Sequence, residues 1–423
     1  MINHLKPKSE FSQNVLTLMT GTTIAQAIPI AISPILTRLY SPEDFGLFAL
    51  FISITSIFGS IANGRYELAI MLPEKDEDAI NIFALGFIIT SVISLILFII
   101  VLLFNDYISS LLNNNEIRIW LYFVPIAVFF TGLYNILNYF NNRQKKYRDL
   151  AKATVIKSIV TATIQLSVGF IKSGVSGLIS GQIGSYFVAN TKLLKNIIKD
   201  RVLISKVTRV KIIALAKRYK NFPRYSMWAI LANSLAQNFT NILISSIYSV
   251  TTLGFYSLVQ RILGIPSSVI GNSIGQVYFE EATKEKQRTG KTIKTFISTV
   301  KKLIIIGLPI FGILFFIVED LFAIVFGQEW KIAGMYAKIV IPLFFIRFVV
   351  VSVSNTNNIF ELQKLALVWQ ILLLLLSLLC MYLGNLYKLT FESFLILFTI
   401  IISLHYAILY FILKQVSSTG RLE

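Results

Sequence analysis

Long apolar runs, each about the length that crosses a bilayer, recur along the whole chain and are separated by short polar stretches. Read at a helical period they predict twelve helices, near 11–36, 44–66, 80–104, 118–140, 152–171, 175–194, 225–247, 251–278, 303–326, 332–358, 362–383 and 391–413. Alternation with a period of two is absent, which argues against a barrel of strands. Lys6 and Lys8 precede a first apolar segment that is too long for a cleaved leader and has no small-residue cleavage site, so it is expected to stay as a span. The expected fold class is all-α: a polytopic membrane protein with twelve transmembrane helices.

Composition agrees with that reading. The 423 residues are 55% hydrophobic and only 14% charged, with a mean hydropathy of +0.71. A water-soluble domain carries about 25% charge, so an ordinary soluble enzyme is excluded. The 39 Lys and Arg against 21 Asp and Glu give a net charge of +18, which in a soluble protein would point to nucleic acid. An even number of spans puts both termini on one side. If that side is cytoplasmic, the inner segments hold 29 Lys and Arg, and the outer loops hold Arg38, Arg118, Lys172, Lys331 and Lys388. The positive-inside rule accounts for this asymmetry, and nucleic acid drops out as a partner. Trp120 and Trp330 fall near outer span ends and Trp228 near an inner one, as interfacial aromatics do. The one cysteine, Cys380, lies in an apolar run, and histidine occurs only at His4 and His405. Neither a disulfide framework nor a metal site is expected. No phosphate-binding glycine loop or hydrolase motif is present, so no cofactor is expected.

The chain repeats itself at half its length. Tyr40-Ser41 followed by Gly46-Leu47-Phe48-Ala49-Leu50 returns 208 residues later as Tyr248-Ser249 followed by Gly254-Phe255-Tyr256-Ser257-Leu258. Each copy joins the first two helices of a six-helix half, so the halves share one orientation. They are expected as two six-helix bundles related by an axis along the membrane normal around a central cavity, rocking against each other. The expected domains are residues 1–198, a cytoplasmic basic linker at 199–224, and residues 225–423. In the linker Leu203, Val207, Val210 and Ala214 follow helical spacing among Lys206, Arg209, Lys211, Lys217 and Arg218, the pattern of an interfacial helix on an anionic leaflet; a solvated linker fits as well.

The exceptions inside the apolar runs carry the chemistry. Arg261 is deep in the eighth helix and Arg347 in the tenth. Lys157 is in the fifth, and Arg65 is at the inner end of the second, where a long side chain snorkels. A mid-membrane cation costs roughly 2.5–3.5 kcal/mol even on the insertion scale. No carboxylate stands at mid-span, since Glu67, Glu319, Asp320, Glu361 and Glu392 are all near span ends. Cations facing a wet cavity and an anionic ligand are the expected arrangement. Polar residues recur at helical spacing beside them: Ser257, Arg261, Gly264, Ser268 and Asn272; Thr154, Lys157, Thr161 and Gln165; Arg347, Ser354, Asn355 and Asn358; Asn233, Gln237, Asn241 and Ser245; and Thr22 with Gln26. They either line the cavity or bond neighbouring helices together. The candidate substrate-binding set is Arg261, Arg347, Lys157, Arg65, Gln26, Gln237, Asn241, Asn272 and Asn355. Pro29, Pro34, Pro266, Pro309 and Pro342 permit kinks in these helices.

One acidic motif imitates a catalytic site. Ser41-Pro42-Glu43-Asp44 places two carboxylates in the first outer loop, but Ser41 fits an N-cap, Pro42 the first helical position and Asp44 a capping box.

The run Leu36-Thr37-Arg38-Leu39-Tyr40-Ser41-Pro42-Glu43-Asp44-Phe45-Gly46-Leu47-Phe48-Ala49-Leu50 resembles the first-loop signature of bacterial O-antigen and capsule oligosaccharide flippases. These belong to the multidrug/oligosaccharidyl-lipid/polysaccharide exporter (MOP) superfamily. Arg65-Tyr66-Glu67-Leu68-Ala69-Ile70-Met71-Leu72-Pro73, Tyr219-Lys220-Asn221-Phe222-Pro223 and Gln260-Arg261-Ile262-Leu263-Gly264-Ile265-Pro266-Ser267-Ser268 continue the resemblance through both halves. It implies export of undecaprenyl-diphosphate-linked oligosaccharide across the bacterial inner membrane through a positively charged cavity. The residues it implies are Arg261, Lys157 and Arg347, and the partners are membrane lipids and other proteins of the same pathway such as a polymerase. Two other functions remain open: a cation-coupled drug exporter of the same superfamily, and a membrane-embedded polymerase or glycosyltransferase. The first wants an intramembrane acid, and the first helix has none between Glu10 and Glu43. The second wants a substantial outer loop.

Overall fold

The computed structural model describes residues 10–171 and 174–420, with side chains in the first helix from Thr17 onward. His4, Lys6, Lys8 and Lys172 lie outside the described residues. Among the described residues all regular structure is helical. The long helices are α1 (Glu10–Leu39), α2 (Pro42–Gly59), α3 (Asp76–Leu111), α4 (Val124–Arg143), α5 (Tyr147–Ile171), α6 (Ser176–Ile198), α7 (Arg209–Arg218), α8 (Met227–Ile247), α9 (Val250–Pro266), α10 (Asn272–Thr289), α11 (Ile293–Phe326), α12 (Lys331–Ser352), α13 (Gln363–Leu386) and α14 (Phe391–Thr419).

Ten helical stretches among the described residues are long and apolar enough to cross a membrane, from Thr17–Leu39 to Phe391–Thr419. The two other segments expected to span do form helices, α6 and α8, but with more polar sequences. Large apolar side chains point outward along the spans: Leu103 on α3 is 68% exposed and Phe316 on α11 is 81% exposed. Surfaces of this kind suit hydrocarbon and not water. The chain is a multi-pass membrane protein.

Two compact units divide the chain, Met1–Ser246 and Ile247–Glu423. Helix α8 bonds to α2: Ser234 Oγ donates to the Ser56 carbonyl at 3.3 Å and Asn241 Nδ2 donates to Ser53 Oγ at 3.2 Å. In the first unit α5 packs on α1 and α6, and α4 packs on α3, α2 and α6. Buried Asn63 pins the turn after α2 to two neighbours, donating to Thr90 Oγ1 at 2.7 Å and to the Gly132 carbonyl at 3.0 Å. Gly132 permits that approach, since a Cβ there would stand 2.7 Å from Thr90 Cγ2. In the second unit α12 packs on α11, α14 and α9. Trp330, expected as an interfacial aromatic, is instead buried, with its ring 5.7 Å from that of Phe255.

The repeat has a structural counterpart. Ser41 Oγ accepts from the Asp44 N–H at 3.2 Å while the Ser41 N–H donates to Asp44 Oδ2 at 3.0 Å, the expected capping box with Pro42 at the helix start. In the second copy Ser249 Oγ accepts from the Thr252 N–H at 3.0 Å and caps α9. Tyr40, just before the first cap, donates to the Gln165 carbonyl of α5 at 2.6 Å. Its counterpart Tyr248 lies against the α14 ring of Phe394 at 5.4 Å.

Proline marks the irregular backbone. Pro266 has no N–H to give, and the following turn, Ser267–Gly271, is π-helical, with the Asn272 N–H reaching the Ser267 carbonyl. A second π-helical turn, Phe222–Ser226, contains Pro223 and leads into α8.

The linker departs from the expected single stripe. The chain breaks at Ser205 and restarts at Thr208, whose hydroxyl caps α7. Leu203 and Val207 turn into the bundle with Ile212, Leu215, Ala216 and Tyr219, whereas Val210 is left outside.

Candidate functional site

The candidate residues separate into two groups, one in each unit. In the first unit Lys157 is the central member. It sits one and a half turns into the apolar part of α5, partly buried, and its ammonium is held between two tyrosines. The Nζ lies 4.9 Å from the ring centre of Tyr134 on α4 and 4.3 Å from that of Tyr186 on α6. The two rings meet edge to face at 5.4 Å, and Tyr134 shares a hydrogen bond with Thr154 Oγ1 at 3.3 Å. Ring quadrupoles attract a cation by roughly 0.5–2 kcal/mol without neutralising it. The charge of Lys157 is therefore positioned but not cancelled.

The other polar members of that α5 face bond to protein. Thr154 and Thr161 donate to the Leu150 and Lys157 carbonyls, and buried Gln165 donates to the Leu178 carbonyl at 3.3 Å. On α8 Gln237 bonds Asn233 at 3.2 Å. Asn241 bonds Ser53, while its Oδ1 is buried with no partner among the described residues. Gln26 is half-buried on α1.

Arg65 differs from its expected setting. The second helix ends at Gly59, and Arg65 follows Gly64 in a left-handed turn with φ of 64°. Its Nη1 donates to Glu67 Oε1 at 3.0 Å and its Nε reaches Ser226 Oγ at 3.4 Å. Arg65 is ion-paired rather than left for an anion. Glu67 is 4% exposed, and its second oxygen, Oε2, has no partner among the described residues. Burial pushes this carboxyl above the usual carboxylate range, and Arg65 pulls it down only in part. A carboxyl held high binds its proton more firmly when folded. Its stabilising contribution is full below the ordinary value near ~4.3 and is lost as pH rises through the raised one. Glu67→Gln is expected to remove this pH-dependent component from thermal unfolding of the purified protein; an unchanged pH profile would contradict it.

In the second unit Arg347 extends from α12 with its guanidinium carbon 5.5 Å from the Phe344 ring centre and 5.7 Å from that of Tyr406 on α14. Arg261 is partly buried on α9, five residues before Pro266. The π-helical turn at Ser267–Gly271 puts Ser268 and Asn272 out of register with Ser257, Arg261 and Gly264, so the stripe expected along one helix is broken. Asn272 is exposed and donates to the Ser268 carbonyl. The stripe from Arg347 to Asn358 is broken too, because α12 ends at Ser352 and Asn355 lies in the turn beyond. Asn355 reaches the Gly275 carbonyl at 3.4 Å and accepts from Asn358 at 3.1 Å.

Three arrangements were absent from the sequence reading. Lys338, inside the tenth apolar run, is neutralised by Glu319 at 2.9 Å. Arg143, counted only as an inner-side charge, binds Asp76 Oδ1 at 2.8 Å and the carbonyls of Ile70, Pro73 and Glu74. The tyrosine pair around Lys157 comes from two helices far apart in sequence, which spacing along one helix does not reveal.

The described residues thus combine a Ser cap repeated in both units with Lys157 and Arg347 set on aromatic rings. The family described as polysaccharide biosynthesis protein matches residues 35–334. The chain belongs to this family. Among curated relatives it is similar to the succinoglycan biosynthesis transport protein ExoT of Rhizobium meliloti, 22% identical over 309 residues that make up 71% of this chain and 59% of that protein. The chain thus spans about 59% of the length of this relative. Its fold is shared with the lipid II flippase MurJ, with a TM-score of 0.71 at 14% identity over 95% of this chain and 91% of that one. It is shared also with an inward-facing multidrug resistance MATE family transporter of the MOP superfamily, with a TM-score of 0.63 at 11% identity over 95% of each chain. The family agrees with the polysaccharide resemblance of the first-loop run, and the solved structures show the shared fold.

Proposed function

We propose that the protein is a flippase that moves undecaprenyl-diphosphate-linked oligosaccharide, an O-antigen or capsule repeat unit, from the inner to the outer leaflet of the bacterial inner membrane. The observation that carries this reading is the setting of Lys157 and Arg347. Their partners among the described residues are aromatic rings. Rings fix a cation in place and leave its charge for an anion, and a diphosphate is the anionic part of such a lipid. Arg presents a fork that matches phosphate oxygens in pairs. Arg261, Gln26, Gln237, Asn241, Asn272 and Asn355 complete the proposed set as phosphate and glycan contacts, while Arg65 acts through its pair with Glu67. The polyprenyl tail stays in lipid.

In this reading α6 and α8 also cross the bilayer. That gives twelve spans in two six-helix bundles with both termini cytoplasmic, consistent with the repeat of the Tyr-Ser cap and with the charge asymmetry of the loops. Alternating access delivers the unit to the leaflet where a polymerase of the same pathway takes it. The family membership, the transport role in the name of ExoT and the fold shared with MurJ support a transporter over an enzyme.

The capping box weighs against a catalytic role for the first outer loop. Glu43→Gln combined with Asp44→Asn is expected to cost about 1 kcal/mol of helix stability and to leave export intact. Loss of polymer from a stably inserted double variant would favour the polymerase or glycosyltransferase. Cation-coupled drug efflux from vesicles would favour the drug exporter. The flippase reading itself is tested in a deletion strain carrying wild type or Arg261→Ala. Wild type is expected to restore surface polysaccharide. The variant, inserted normally, is expected to leave lipid-linked oligosaccharide inside the cell; full restoration by the variant would contradict the role of Arg261.

A further inference from the structure

Helix α7 has two apolar faces, and the bundle covers one of them. Ile212, Leu215, Ala216 and Tyr219 fall at the spacing of one helical face and pack into the core of the first unit. Val210, Ile213 and Ala214 fall at the same spacing on the opposite side, where Val210 is 78% exposed and Ile213 46%. Arg209, Lys217 and Arg218 stand exposed along this second face. We propose that the Val210–Ile213 face of α7 docks on the anionic headgroup layer of the membrane, its apolar side chains at the acyl boundary and the three basic residues on lipid phosphates.

The level of the helix in the protein favours a lipid surface over a protein partner. Asn81 accepts from the Thr208 N–H at 2.9 Å and donates to the Lys206 carbonyl at 3.0 Å. Glu77 binds the Lys211 ammonium at 2.8 Å, which this bond holds above its usual pKa. These contacts fix α7 to the first two turns of α3, about 7.5 Å along the axis from the start of that span at Asp76. Tyr66 adds a bond to the Ala216 carbonyl at 3.0 Å. The helix is thus held at the height where a span leaves the hydrocarbon. Tyr225 and Trp228, at the start of the next long helix, are 60% and 61% exposed and are the aromatics that favour that layer. Charge complements it. From Lys192 to Arg224 there are 11 Lys and Arg, and Asp200 is the one acid. Glu77 takes up Lys206 and Lys211, so Arg209, Lys217 and Arg218 remain for phosphate. An apolar strip bordered by cations is the pattern of an interfacial helix.

The test uses the full chain with a nitroxide at position 210 (Val210→Cys in a Cys380→Ser background), reconstituted in phosphatidylcholine vesicles with or without phosphatidylglycerol. Collision with oxygen reports burial in lipid, and collision with a water-soluble nickel chelate reports exposure to water. With phosphatidylglycerol the label is expected to gain oxygen collisions and lose nickel collisions. Arg209→Gln, Lys217→Gln and Arg218→Gln together are expected to shift the docked state by roughly 100-fold toward water, at about fivefold per basic residue near an anionic surface. High nickel access in both lipids overturns the proposal. So does equal burial with and without phosphatidylglycerol. A label shielded from both reagents also overturns it, since a protein then covers the face. None of these readouts depends on which cargo is transported.

Discussion

Lys157→Glu is expected to stop export of the lipid-linked unit while leaving the protein folded and inserted. The ammonium is held by Tyr134 and Tyr186 with no acid paired to it among the described residues, so the substitution replaces an attraction for diphosphate by a repulsion. Losing one charge-assisted hydrogen bond corresponds to roughly 1.5–3 kcal/mol, about a 10- to 100-fold drop in transport, and reversal of sign adds to it. Lys157→Arg is expected to keep most activity, because it keeps the charge and still stacks on rings. Tyr134→Leu with Tyr186→Leu is expected to give an intermediate loss, since the charge remains but is no longer positioned. Surface polysaccharide normalised to membrane-inserted protein measures all three. Equal export by Lys157→Glu and wild type would remove the residue from the transport path.

The largest structural effect is expected at Arg143. Its side chain is 12% exposed and joins the end of α4 to the loop before α3 by an ion pair to Asp76 and by bonds to three carbonyls. Arg143→Ala leaves those carbonyls without their donor at a half-buried site. Hydrogen bonds to a charged group contribute about 1.5–3 kcal/mol each when lost, so a destabilisation of at least about 3 kcal/mol is expected. Arg143→Lys recovers part of it, because a point charge replaces Asp76 pairing but not the three-way fork. Thermal unfolding of purified variants in detergent reads the difference. A variant as stable as wild type would show that the loop holds its shape without the guanidinium.

What the sequence made legible follows from what is local. Apolar length defines a span wherever it occurs, and the Ser41 cap is complete within four residues, so both were readable from the chain alone. The Tyr40-Ser41 and Tyr248-Ser249 repeat was readable because the two caps depend on the same short pattern. Arg65 was misplaced because the apolar run continues past Gly59, while Gly64 and Arg65 leave the helix through left-handed backbone conformations that hydropathy does not register. The stripes ending in Asn272 and Asn355 were drawn on straight helices. Pro266 admits a π-helical turn and α12 stops at Ser352, so later residues rotate off the face. The partners of Lys157, Lys338 and Arg143 come from other helices, and one sequence carries no sign of which helices touch. The linker held both apolar faces in its sequence, but only the packing separates Ile212 and Leu215 from Val210 and Ile213.

The central claim is transfer of a diphosphate-bearing lipid across the bilayer, and the most direct test is a leaflet assay with purified protein. Liposomes carrying fluorescent undecaprenyl-diphosphate oligosaccharide are treated with a glycosidase that cannot cross the membrane, so only the outer-leaflet pool is cut at first. With wild-type protein the protected inner pool is expected to become accessible, and with Lys157→Glu or Arg261→Ala it is expected to stay protected at the rate of protein-free liposomes. Protection unchanged by correctly folded wild-type protein would contradict the account.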